Sequence, residues 1–149
     1  MTHTENEIVI DAPPHVIYNF AAATDRWPQY LPHYRYVHVL GETNEFRIVE
    51  MAAVRDGIPL HWIAAQQNDP LAPAIRFVHV RGWTRGMDVR WRFDRLGPNR
   101  TRVTIAHDLA FAFPIASEFI GEHVVGSFFI RNVASKTLAR MKALAESAV

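Results

Sequence analysis

Residues 86–94 read Gly86-Met87-Asp88-Val89-Arg90-Trp91-Arg92-Phe93-Asp94, and their alternation decides the fold class. Met87, Val89, Trp91 and Phe93 fall on one side of an extended chain, and Asp88, Arg90, Arg92 and Asp94 on the other, because strand side chains alternate with period two. A strand divided in this way belongs to a sheet covered on one face only. Working outward, turn signals recur at Gly41 to Asn44, Asp56-Gly57, Asp69 to Pro73, Gly82 to Gly86 and Gly97 to Asn99. They predict strands near 35–40, 45–54, 58–68, 74–81, 86–94 and 101–111, with connections short enough for an antiparallel meander.

The cover must come from the segment after Pro114. Phe119, Ile120, His123, Ser127, Ile130, Ala134, Leu138, Met141 and Ala145 share one stripe at helical periodicity, with Lys136, Arg140 and Glu146 outside it. A helix of about thirty residues is expected there. Its first half is also apolar on the outside at Val124, Val125, Phe128 and Phe129, an excess that suits a homodimer surface, a ligand entrance or contact with the aromatic loop. Ahead of the meander, Glu7 to Asp11 is a short β-rich run. Asp11 followed by Pro13 and Pro14 marks a helix start with a capping carboxylate, continuing to about Ala23. Pro28 and Pro32 restrict the aromatic segment Arg26 to Tyr36 to a short helix or turn.

The chain has 149 residues, 49% hydrophobic and 21% charged, which fits one globular domain over 1–149. Its net charge of +1 is too small for bulk attraction to nucleic acid or an anionic membrane. Without cysteine there is no disulfide, thiolate metal site or cysteine nucleophile. The acidic N-terminus carries no secretory pattern, and the apolar stretch near 109–130 is interrupted by Pro114, Glu118, Glu122 and His123. A cytoplasmic protein without an integral membrane segment is the expectation. Neither a nucleophile elbow nor a glycine-rich phosphate loop occurs. The eight histidines are scattered without HxxxH spacing, so no metal site is expected.

Leu60 to Asn68 (LHWIAAQQN) places Trp62, Ala64 and Gln66 on one face and His61, Ile63, Ala65 and Gln67 on the other, so an amide is buried with either. His107 falls inward with Val103 and Ile105, and His123 inward with Ser127. These are the acid–base candidates near working pH. His79 and His61 have the opposite parity and are expected outside. The row Arg90, Arg92, Arg95, Arg100 and Arg102 reads as a solvated face balanced by Asp88 and Asp94, and the same charges would suit docking of an acidic acyl carrier protein.

The order strand, helix, short helix, six-stranded meander and long helix resembles the helix-grip fold of the START and birch-pollen-allergen superfamily. The stretches NEIVIDAPPHVIYNF, DRWPQYLPHYRYVHVL and GWTRGMDVRWRFDRLGPNRTRVTIAHDL resemble the polyketide cyclase/dehydrase family, especially the tetracenomycin-type aromatase/cyclases. The resemblance implies an α+β fold: a curved antiparallel sheet of seven strands wrapped around the C-terminal helix, with two short helices after the first strand. It also implies an internal cavity for a hydrophobic ligand, with no metal and no organic cofactor. The implied activity is aromatase/cyclase or dehydrase chemistry on a poly-β-keto or related chain, delivered by an acyl carrier protein. The alternative is a non-catalytic lipid or quinone carrier of the START-like type.

Carried over by residue, Trp27 and Tyr34 match an aromatic and a phenol at the cavity mouth, Trp62 a wall tryptophan, and Met87 and Trp91 pocket-lining positions. Gln66 stands where the aromatase/cyclases place an arginine regarded as central to the chemistry. A neutral amide donates a hydrogen bond without the charge that stabilises an enolate. A hairpin centred on Leu71 would pair Gln66 with Arg76 on the same face, so Arg76 is expected to restore that charge in the cavity. The expected catalytic set is Arg76, Gln66, Tyr34 and His107, with Trp27, Trp62, Met87, Trp91, His123 and Ser127 binding substrate.

Overall fold

The structure is a computed structural model that describes the chain except residues 1, 56, 83 and 110–115; at 2, 55 and 116–129 it describes backbone only. Strand β1 (Thr2–Ile10) leads into helix α1 (Pro14–Ala22), a single 3-10 turn (Thr24–Arg26) and helix α2 (Trp27–Tyr30). The meander follows as β2 (Tyr34–Glu42), β3 (Arg47–Arg55), β4 (Ile58–Asp69), β5 (Ala74–Arg81), β6 (Asp88–Gly97) and β7 (Arg100–Leu109). Helix α3 (Ala116–Ser147) closes the chain. The seven strands form one antiparallel sheet in the order β1-β7-β6-β5-β4-β3-β2. This is the expected helix-grip architecture. Among the described residues, no helix is long and apolar enough to cross a membrane.

The 86–94 alternation holds: Met87, Val89, Trp91 and Phe93 are buried, while Arg90 and Arg92 are exposed. Against that face lie Ile130, Ala134, Leu138, Met141 and Ala145 of α3, all buried. Polar contacts fix the helix along β1. Lys142 Nζ donates to the Val9 carbonyl at 3.1 Å, and Glu146 accepts the Asp11 backbone N–H at 2.8 Å. The second contact corrects one expectation. Asp11 does not cap α1, whose N-cap is Pro13 with no side-chain bond; Asp11 lies two positions before that N-cap and instead anchors the end of α3 through its backbone.

The larger correction is a register. Gln66 pairs with Phe77, and Arg76 pairs with Gln67. The β4–β5 connection is one residue wider than a hairpin centred on Leu71, because Asp69 Oδ1 accepts the N–H groups of both Leu71 (3.1 Å) and Ala72 (3.2 Å) and the ladder closes at Asp69 opposite Ala74. A one-residue slip exchanges the two faces of a strand. Arg76 therefore points to solvent, where its guanidinium grips Asp88 through Nε (3.1 Å) and Nη2 (2.7 Å). His79 turns inward by the same slip.

Candidate functional site

The concave face of the sheet and the described part of α3 enclose a cavity of about 70 Å³. It has room for several waters and is smaller than the roughly 300–1,000 Å³ of a typical ligand site, so a larger ligand would spread its walls. Trp27, Tyr34, Trp62, Met87, Trp91 and His107 all line it, as do His79, Thr84 and Thr137. His123 and Ser127 lie outside the residues whose side chains the structure describes, as do Val124, Val125, Phe128 and Phe129.

Trp27 is no rim residue. Only 3% exposed, it packs its ring against Tyr34 (5.0 Å between centroids), Trp91 (5.9 Å) and Phe77 (6.0 Å). Its Nε1 is sealed from solvent without a hydrogen-bond partner among the described residues. The α2 segment places it there, because Pro28 in the first turn starts a short helix that ends where Leu31 donates its N–H back to the Trp27 carbonyl. The Tyr34 phenol is buried beside Thr137, and burial pushes its pKa up, so it is a neutral donor. His33 Nε2 meets Thr137 Oγ1 at 2.9 Å, and that hydroxyl donates to the Val133 carbonyl at 2.9 Å, so the imidazole is the donor in the first contact. Of the remaining aromatics, Tyr30 packs edge-on against Phe20 and Tyr36 stacks on His38; neither lines the cavity.

Two further imidazoles sit in the wall. His79 stacks on Trp62 at 5.4 Å with the ring planes 6° apart, and its Nδ1 meets the buried Thr84 hydroxyl at 2.7 Å. Desolvation, with a smaller contribution from His107, depresses its pKa to about 3. His107 Nδ1 is sealed without a partner among the described residues, and desolvation depresses its pKa to about 4. Both rings are neutral at pH 7. Strand parity found His107, but His79 was missed because the β5 pattern was read from Arg76; the apolar pair Ile75 and Phe77 carried the correct signal.

The turn that holds Thr84 on His79 depends on Gly82, whose φ of +105° suits glycine. A Cβ there would stand 2.7 Å from the His61 carbonyl oxygen. Gly82→Ala is expected to cost about 1–3 kcal/mol, from the strained backbone together with this close approach. Thermal denaturation measures it, and an unchanged midpoint would show that the turn relaxes freely.

Gln66 does not line the cavity. At 1% exposure it accepts from Thr24 Oγ1 at 2.6 Å and donates through Nε2 to the Ala22 carbonyl (3.0 Å) and to Asn68 Oδ1 (2.9 Å). An amide so engaged ties the end of α1 and the following turn to β4 and has no donor left for a ligand. With Arg76 outside, both members of the expected Gln66–Arg76 pair leave the site, and among the described lining residues none is cationic. The outer arginines are paired as well, Arg92 with Asp94 at 3.0 Å and Arg90 with Asp88 at 3.4 Å. His61 is exposed, as expected, beside Glu50. No cluster of three or more His, Asp or Glu among the described residues is arranged to hold a metal ion.

The family model described as polyketide cyclase/dehydrase and lipid transport matches residues 10–142. The granaticin polyketide synthase bifunctional cyclase/dehydratase of Streptomyces violaceoruber is 28% identical over 114 residues, which are 73% of this chain, and the match spans only 34% of that relative. Among solved structures, the Zhui aromatase/cyclase of Streptomyces sp. R1128 superimposes with a TM-score of 0.87 at 17% identity, over 97% of this chain and 93% of the other. A START superfamily protein of Mycobacterium smegmatis gives 0.68 at 16% identity, over 99% and 96%. At these identities the superpositions speak to fold. The match of the family model over most of the chain shows that this protein belongs to the polyketide cyclase/dehydrase and lipid transport family.

Proposed function

We propose that this domain is a polyketide aromatase/cyclase or dehydrase that works on a neutral, hydrophobic β-keto or β-hydroxy chain, with His107 moving the proton. The observation that carries this reading is that two residues lining the cavity, Trp27 and His107, each bury a polar atom, Nε1 and Nδ1, that has no hydrogen-bond partner among the described residues. Burying such atoms costs about 1–3 kcal/mol each unless a ligand or another group satisfies them. Trp27 can only donate, so its natural partner is a carbonyl oxygen; Tyr34 offers a second neutral donor. Two neutral donors stabilise an enolate less than an arginine would, but in a dry cavity they need no reorganisation.

The proton balance closes on one imidazole. Neutral His107 accepts the proton from the carbon between two oxygen-bearing carbons, and the resulting imidazolium returns it to the departing hydroxyl. One C–H and one C–O bond break, a C=C bond forms, water leaves, and the imidazole ends as it began. Its depressed basicity makes the imidazolium a strong acid for the second half of this cycle.

His107→Asn is expected to lower turnover about a hundredfold with little change in ligand affinity, the usual effect of removing a general acid–base group. Product analysis of a reconstituted polyketide synthase with wild-type, variant or no domain reads it. A ring pattern unchanged by adding the wild-type domain, across several chain lengths, would overturn the enzyme reading. The neutral lining also favours a second reading, a carrier for a neutral lipid or quinone. Stoichiometric ligand uptake that is identical in wild type and variant, with no new product, is its signature.

A further inference from the structure

Three buried side-chain atoms without hydrogen-bond partners among the described residues lie on the inner face of one strand pair: Thr4 Oγ1 and Asn6 Oδ1 on β1, and His107 Nδ1 on β7. Thr4 is directly opposite His107 in the ladder, and Asn6 is two residues along, opposite Ile105. Thr4 is 3% exposed. Directly opposed residues have Cβ atoms about 4.5–5.5 Å apart, so a change of rotamer or one bridging water connects them.

We propose that Thr4, oriented by Asn6, is a positioning residue that sets the tautomer of His107. This inference rests on the reading of His107 as the proton-transfer group. The direction of the chain follows from donor and acceptor chemistry. Asn6 Nδ2 donates to the Arg131 carbonyl (3.2 Å) and to Ser135 Oγ (2.9 Å) on α3, which fixes the orientation of the amide and leaves Oδ1 as an acceptor only. When the chain closes, Asn6 Oδ1 takes the Thr4 hydroxyl proton. The Thr4 oxygen then has only lone pairs to offer, and it accepts from His107 Nδ1–H. A neutral imidazole protonated at Nδ1 carries its lone pair on Nε2, the nitrogen then available as a base. Both links, Thr4 to Asn6 and His107 to Thr4, close when a ligand draws the ring into working geometry, as catalytic hydrogen bonds often do. The contact of Asn6 with α3 thus joins the placement of the helix to the protonation pattern of the site.

Nitrogen-15 NMR of the histidine rings at pH 7 reads the tautomer without any turnover. The expected result is an unprotonated Nε2 on His107 in the wild-type protein with a bound β-diketone probe. Thr4→Val should shift it toward the Nε2–H form, Thr4→Ser should restore it, and Thr104→Val, at an equally orphaned hydroxyl on the other face of β7, should do nothing. In parallel, Thr4→Val should lower kcat about fivefold at constant KM, the worth of one buried hydrogen bond. Asn6→Leu removes the terminal acceptor and should move the tautomer the same way, which keeps the test open if Thr4→Val fails to fold. An Nε2–H tautomer in the wild type, or one indifferent to both substitutions, overturns the proposal. If the NMR behaves as expected while His107→Asn leaves product formation intact, the positioning chain stands and the function proposed for His107 falls.

Discussion

Replacing Gln66 with Leu should cost about 4 kcal/mol of folding stability and lower the thermal midpoint by about 12 °C. The substitution keeps the volume approximately but strands the hydroxyl of Thr24, fully buried, and the Ala22 carbonyl, both of which now bond the amide. Each buried group left unsatisfied costs about 1–3 kcal/mol, while Asn68 can turn to water. Because Gln66 is absent from the cavity wall, ligand affinity and turnover measured well below the new midpoint should match the wild type. Urea denaturation and activity assays on the same sample decide the matter. A fully stable variant that has lost turnover would return Gln66 to the chemistry.

The protein should also lose about 4 kcal/mol of stability between pH 7.5 and pH 5 through His79 and His107 alone. The sign follows from their folded pKa values, about 3 and about 4, which lie below the unfolded value of 6.5. Between those limits the unfolded chain binds more protons than the folded one, so stability rises with pH and falls on acidification. At pH 5, about 1.5 units below the unfolded pKa, each ring contributes roughly 2 kcal/mol at 1.36 kcal/mol per unit. His33, depressed to about 4 by burial and then by Lys136, acts in the same direction with a smaller effect because it is less deeply buried. His3 opposes them, since Glu5 and Asp108 raise its pKa, but it is exposed and its pairs are screened. Denaturation curves at the two pH values measure the loss. The double substitution His79→Gln with His107→Gln should flatten it; an equally steep dependence in that variant would assign it to other groups.

The difference between Gln66 and His79 shows how far a strand can be read in isolation. On β4, Trp62, Ala64 and Gln66 share one face, but either face of the strand carries a glutamine, so its own residues require a buried amide without choosing which one. What Gln66 does there depends on Thr24 and Ala22, more than forty residues away in sequence. On β5, Arg76 and His79 were assigned to the wrong faces together, because both assignments hung on one loop length. Asp69 widened that loop by bonding two backbone N–H groups, an effect of a single side chain that alternation does not register. His107 was found because Val103 and Ile105 declare the inner face of β7 within the strand itself.

Period-two alternation over 86–94 and the helical stripe after Pro114 determined that a one-faced sheet would be covered by one long helix, because burial of apolar faces is specified residue by residue along the chain. The two faces of 60–68, each with a glutamine, determined that an amide would be buried in β4 whichever face turned inward. Only the tertiary structure decided that Gln66 is a structural clasp, that Arg76 faces solvent, and that the cavity is lined by two neutral imidazoles, a phenol and the three indoles of Trp27, Trp62 and Trp91, without a cation among the described residues. Those outcomes turn on strand register and on hydrogen bonds between distant segments. Both are set by pairwise geometry, which no single stretch of the chain contains.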